Sequence, residues 1–192
     1  MDRGQRSVVV RARAGDAEAF RQLFEAYQAR IYNYLWQMVR DEELAADLTQ
    51  ETFIRAYRSL AELRDPGAFQ SWLYRIAVNL VRDERKRAQV PTVSLEAPDE
   101  EEGSGEDPGS EFADWSSNPE RELMRRELAQ AVERAVAHLA PEHREVIVLH
   151  HLRGLEVRDI ACILQVAEGT VKSRLGRARA LLRRQLASWV ED

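Results

Sequence analysis

The stretch Glu156–Arg184, "EVRDIACILQVAEGTVKSRLGRARALLRR", decides how the chain is read. It fits two helices joined by a short turn at "QVA". In the first helix Ile160, Ala161 and Leu164 fall on one side, and Ala161 is small enough to let the second helix approach. In the second, at about 100° per residue, Val171, Leu175, Ala178, Leu182 and Leu186 form an apolar stripe that needs a core. Val166 stands at the turn. The opposite side carries the small residues Ser173, Gly176 and Ala180, flanked by Lys172, Arg179 and Arg183 on one edge and by Arg177 and Arg184 on the other. A low ridge between two basic rails fits a helix that enters a groove lined by phosphates. A helix-turn-helix presents the N-terminal part of its second helix to base edges. A solvated basic face on an ordinary surface helix is the plainer alternative. The turn lacks glycine, and Gln165 occupies the position where positive φ is often wanted.

That basic run is a local choice in an acidic chain. The 192 residues carry a net charge of -5. Nine of the 33 acids lie between Ala88 and Pro119, a stretch with no Lys or Arg, so the remainder is net basic. Such asymmetry points to nucleic acid or charged partners. The same stretch, "AQVPTVSLEAPDEEEGSGEDPGSEFADWSSNPE", is rich in Pro, Gly and Ser. It cannot bury enough surface to offset its ordering entropy, which predicts a flexible tether. Phe112 and Trp115 are its unusual members, either docking residues or tolerated aromatics. The single cysteine, Cys162, allows no intrachain disulfide and suits a reducing compartment. No leader pattern and no run of about 18 apolar residues is present. A cytoplasmic location without membrane insertion is expected.

Outside the tether the periodicity is helical throughout. Asp16 is a candidate N-cap for a helix in which Phe20, Leu23, Phe24, Tyr27, Ile31, Tyr34 and Leu35 make a core seam. A second helix runs through "DEELAADLTQETFIRAYRSL", with Asp47, Gln50, Glu51, Ile54 and Arg58 outward. Pro66 and Gly67 break the chain before a third helix. There Phe69, Trp72, Leu73, Ile76 and Leu80 face inward, and Ser71, Arg75, Asn79, Arg82 and Lys86 face out. A basic face with an amide among aromatics can track a single strand and read a displaced base, although such a face can also be merely solvated. Asn118-Pro119-Glu120 signals another helix start, Pro141 a further one, and Gly154 a stop. The expected fold is all-α: two small helical domains, residues 1–88 and 119–192, joined by a flexible acidic linker, residues 89–118. His138, His143, His150, His151 and Cys162 raise a zinc enzyme as a rival, but their spacing matches no familiar ligand pattern, and adjacent His150 and His151 should diverge on a helix. A stand-alone helix-turn-helix regulator is the second rival; it leaves the Asn79 helix and the acidic tether without a role.

Three separated motifs, "LTQETFIRAYRSL", "FQSWLYRIAVNLVRDERKR" and "EGTVKSRLGRARALLR", occur in the order and spacing that resemble the extracytoplasmic-function sigma factors of bacterial RNA polymerase. The resemblance covers nearly the whole chain outside the tether. It implies a non-enzymatic factor with no cofactor. Asp47, Gln50, Glu51 and Ile54 would dock on the coiled coil of the polymerase β′ clamp. Leu63, Arg75, Asn79, Arg82 and Lys86 would meet melted minus-10 DNA, one base being flipped into the loop 60–67, with Arg85 and Arg87 holding phosphates. Lys172, Ser173, Arg174, Gly176 and Arg177 would read the minus-35 element. The β flap and an anti-sigma factor are further implied partners. The acids of Glu96–Asp114 would thread the RNA exit path as an imitation of the transcript. Two departures are visible: Leu63 stands where an aromatic is often found, and Gly176 replaces a larger side chain, so promoter preference should differ.

Overall fold

Asp16 opens the first long helix as expected. Its carboxylate accepts from the backbone N–H of Ala19 at 3.0 Å, and helix α2 runs over Ala17–Val39. Asp41 repeats the device for α3, Glu42–Ser59, accepting from Leu44 N–H at 2.8 Å. Both caps satisfy orphan donors at a helix start. The third helix, α4, spans Phe69–Gln89. α2, α3 and α4 pack on one another around Leu23, Tyr27, Ile31, Leu35, Phe53, Phe69 and Leu73. A helix that the sequence reading missed, α1 over Arg3–Arg13, lies along α2 with Val9 fully buried. The structure, a computed structural model, describes residues 3–89 and 119–189. The tether, its aromatics Phe112 and Trp115, and the Asn118 cap lie outside the described residues.

The second half holds α5 (Pro119–Ala137), α6 (Pro141–Ile147), a π-helical turn (Val148–Leu152), α7 (Val157–Leu164) and α8 (Glu168–Gln185). Gly154, with φ of 67°, follows the π turn and ends that run. The Arg144 guanidinium donates to the carbonyls of Ala137 and Leu139, so it closes the C-terminal end of α5. Between α7 and α8, Gln165 adopts φ 57° and ψ 45°, the left-handed conformation anticipated for it. Ile160, Leu164, Val171, Leu175 and Ala178 are buried between the two helices and α6. Among the described residues all regular structure is helical, and no helix is long and apolar enough to cross a membrane.

The two halves do not stand apart. Their buried side chains form one continuous apolar cluster. The cause is α4, which is apolar on two faces. Phe69, Leu73 and Ala77 pack into the first half, but Tyr74, Val78 and Val81 are also fully buried, and α4 lies along α7. Trp72 and Ile76, expected inside, are only half-buried. α2 also touches α6 and the π turn.

The contact encloses the Tyr34 hydroxyl, which has no hydrogen-bond partner among the described residues, and burial together with the nearby Glu145 pushes its pKa well up. A buried unsatisfied hydroxyl costs about 1–3 kcal/mol. Tyr34→Phe should therefore raise the unfolding free energy by about 1 kcal/mol in a urea melt.

Candidate nucleic-acid interface

α8 begins without a side-chain cap, because Ala167 occupies the N-cap position. Its first N–H groups are thus left for an external acceptor, and the helix dipole favours an anion there. Lys172, Ser173, Gly176, Arg177, Arg179 and Ala180 are exposed, in line with the wheel, while Val171, Leu175 and Ala178 anchor the opposite side. A Cβ added at Gly176 would meet no atom within 4 Å. This glycine is therefore not required for packing; it lowers the outer ridge. Arg174 is half-buried, and its charge is one of those that act on Glu145. The Arg179 Nε–H donates to His151 Nε2 at 3.1 Å, which fixes one basic rail against the π turn. Burial and the Arg179 charge together hold the His151 pKa below its usual value.

α4 displays Arg75, Asn79 and Lys86 on one exposed line. Arg82 belongs to that line by spacing but is engaged: it donates to the Leu164 carbonyl at 3.3 Å and pairs with Glu145 at 3.6 Å. The loop before α4 contains two 3-10 turns, Leu60–Glu62 and Pro66–Ala68. Leu63 is buried at 6 % exposure, so its side chain is a core anchor of the loop rather than a displayed surface. What the loop does display is Glu62, Arg64 and Asp65. The Asp65 carboxylate accepts from Gly67 N–H at 2.9 Å and from Arg6 at 3.2 Å, and Arg13 donates to the Arg64 carbonyl. α1 therefore holds this loop, a role that nothing in the N-terminal residues announced.

On α3, Asp47, Gln50 and Ile54 are exposed, and Glu51 is half-buried with its carboxylate accepting from Arg55 at 2.6 Å. Of these, Gln50 and Ile54 line an open apolar groove of about 520 Å³ together with Phe20, Phe24, Phe53, Tyr57 and Arg58. Ile54 is 43 % and Tyr57 59 % exposed. Phe20 meets Tyr57 edge-on at 4.9 Å, and Phe24 meets Phe53 at 4.8 Å. The sequence reading placed Phe20 and Phe24 in the core seam and passed over Tyr57. Phe20 and Phe24 are half-buried: they pack against the core as expected and, with Tyr57, also line this groove.

Contrary to expectation, the His150 and His151 rings do not diverge; they meet edge-on at 4.8 Å, because the π turn alters the angular step between neighbours. His150 Nδ1 lies 2.8 Å from the Leu155 carbonyl and His138 Nδ1 2.7 Å from that of Arg134. Among the described residues no three His, Cys, Asp or Glu side chains converge on a point that could hold a metal.

Comparison with known proteins agrees with this layout. Residues 23–90 match the model of sigma-70 region 2, and residues 129–182 that of sigma-70 region 4. The chain is 34% identical to the RNA polymerase sigma-H factor of Pseudomonas aeruginosa over 93% of its own length and 92% of that protein. It is 36% identical to the ECF RNA polymerase sigma-E factor of Escherichia coli K12, over 90% and 88% of the two chains. Its structure resembles CnrH, solved in complex with the cytosolic domain of CnrY, with a TM-score of 0.67 and 26% identity over 96% of this chain and 97% of that one.

Proposed function

This chain belongs to the extracytoplasmic-function sigma factors of RNA polymerase, and from that premise we propose how its surfaces divide the work. It binds core RNA polymerase and directs promoter-specific initiation. It recognises minus-35 duplex DNA and captures melted minus-10 DNA. The groove lined by Gln50, Ile54 and Tyr57, with Asp47 and Glu51 on the same helix, takes the β′ clamp coiled coil. Residues 1–88 carry that contact and the minus-10 contact. Arg75, Asn79 and Lys86 meet the unpaired strand, joined by Arg82 when it is released from the second half. Leu63 acts by shaping the loop from within. Residues 119–192 carry the minus-35 contact through Lys172, Ser173, Arg174, Gly176 and Arg177, and also bind the β flap. An anti-sigma factor is a further partner.

The observation that carries this reading is the pairing of an uncapped helix bearing exposed Lys172 and Arg177 with a second exposed line on α4 and an apolar groove on α3. The mechanism asks for no catalytic side chain. Each half binds DNA weakly, and polymerase fixes their separation, so the second contact becomes intramolecular. Strand opening is driven by capture, since holding an unpaired base offsets the few kcal/mol that flipping it costs. Run-off transcription with core polymerase and genomic fragments tests the reading: discrete transcripts that need the added chain are expected. Tight binding to palindromic DNA without polymerase, and no directed transcript, would favour a stand-alone regulator instead.

A further inference from the structure

Two arginines of α1 reach across to the loop between α3 and α4. Leu60 and Leu63 are buried and pin the first 3-10 turn of that loop from within, but Arg64 and Asp65, which follow, are exposed. Arg13 donates to the Arg64 carbonyl at 3.4 Å, and Arg6 to the Asp65 carboxylate at 3.2 Å. At their spacing the two arginines stand two turns apart on one side of α1. Between them in sequence, Val9 and Ala12 are buried, and α1 packs along α2. The far end of α1 is held as well, since Arg11 pairs at 2.7 Å with Asp16, the N-cap of α2. The Asp65 oxygen that takes Arg6 also accepts from Gly67 N–H at 2.9 Å, and a Cβ at Gly67 would stand only 3.1 Å from it. The carboxylate is thus folded back over the second 3-10 turn, with Arg6 as its other partner.

These ties do little to keep the chain folded. The Arg6 and Asp65 side chains are 62% and 63% exposed, Arg13 is exposed too, and exposed ion pairs contribute little to stability. Their placement matters for a different reason: a loop that must meet an unpaired strand binds best when its shape is set beforehand. We infer that α1 is the positioning element of the minus-10 loop: Arg6 and Arg13 hold the Asp65 carboxylate and the Arg64 carbonyl in the arrangement that receives melted DNA, without touching the DNA themselves. This role rests on the reading above, in which loop 60–67 meets the minus-10 element. Without the ties the loop samples other shapes, and its affinity for the strand falls with the fraction still correctly shaped.

The test uses the full chain with core polymerase and a promoter fragment selected by run-off transcription, carrying 2-aminopurine in its minus-10 element to report strand opening. Arg6→Ala combined with Arg13→Ala should cut opening about fivefold or more, while helical content by circular dichroism, polymerase affinity and the salt slope of promoter binding stay at wild-type values. Arg6→Lys, which keeps a cation on Asp65, should retain most of the opening that Arg6→Ala loses. Asp65→Asn keeps the acceptor for Gly67 and removes the charge that holds Arg6, so adding Arg6→Ala to it should cost little more. Should the double alanine chain lose helix, this cycle at Arg6 and Asp65 decides. A direct grip on phosphate by Arg6 predicts additive losses and a salt slope lower by about one unit. Either result overturns the proposal, as does unchanged opening in the double alanine chain, or loss of polymerase binding in step with opening. A wild-type chain that opens no promoter rejects the functional reading and the role of α1 together; opening by wild type with additive losses rejects only the role of α1.

Discussion

An Ile54→Asp chain should fail to assemble with core RNA polymerase while keeping its helical content and melting temperature. Ile54 is 43 % exposed on the outer side of α3, so its loss removes little packing, and surface changes of this kind stay within about 0.5 kcal/mol of wild type in stability. The consequence is large only in a complex. There the groove walled by Phe20, Phe24, Phe53 and Tyr57 would close around a helix of the partner, and a carboxylate introduced at Ile54 would be stripped of water against apolar surface. Burying a polar group without compensation costs about 2–7 kcal/mol. At 1.4 kcal/mol per tenfold, the affinity should fall by about 100-fold or more. Fluorescence anisotropy of labelled chain titrated with core polymerase measures this directly. Tight binding by Ile54→Asp would move the polymerase contact off this groove.

Lys172→Ala combined with Arg177→Ala should have the second large effect, on a different step. Both side chains are exposed near the start of α8, and neither supports the fold. A bidentate contact to a base is worth about 1–3 kcal/mol, and each lost phosphate contact weakens binding and lowers the salt dependence by about one unit of slope. Together the pair should reduce initiation from a promoter that depends on its minus-35 element by about 100-fold. A promoter that lacks the element should be little changed, and polymerase binding should stay intact. Run-off transcription on the two templates across a salt series separates these outcomes. Equal loss on both templates would point away from α8 as the reader.

Why α7 and α8 were legible while α1 and the contact between the two halves were not follows from particular residues. The stripe of Val171, Leu175 and Ala178 repeats at helical spacing against Ile160 and Leu164, and all five are buried as the spacing demands. The turn could be read at Gln165 because a left-handed residue is needed where two short helices meet so closely. α1, by contrast, offers three successive valines between arginines, of which Val9 is fully buried and Val10 half exposed; so short a stripe does not distinguish helix from strand. On α4 the run "WLYRIAVNLV" contains two apolar faces. Periodicity picks out one of them and says nothing about what covers the other. Tyr74, Val78 and Val81 stood on neither face read from the spacing, yet all three are fully buried, and α4 lies along both the first half and α7. Arg82 was misjudged for the same reason: spacing gives its direction but not the distant carbonyl and carboxylate that occupy it.

The notch at Gly176 gives the chain a property useful beyond its own cell. Since a Cβ there would meet no atom of the protein within 4 Å, the position is a vacant dial: with α8 reading the promoter as proposed, residues of differing size and polarity installed there should retune which start sites are chosen. Libraries at that single codon would then be a direct route to mutually insulated regulators for engineered gene circuits.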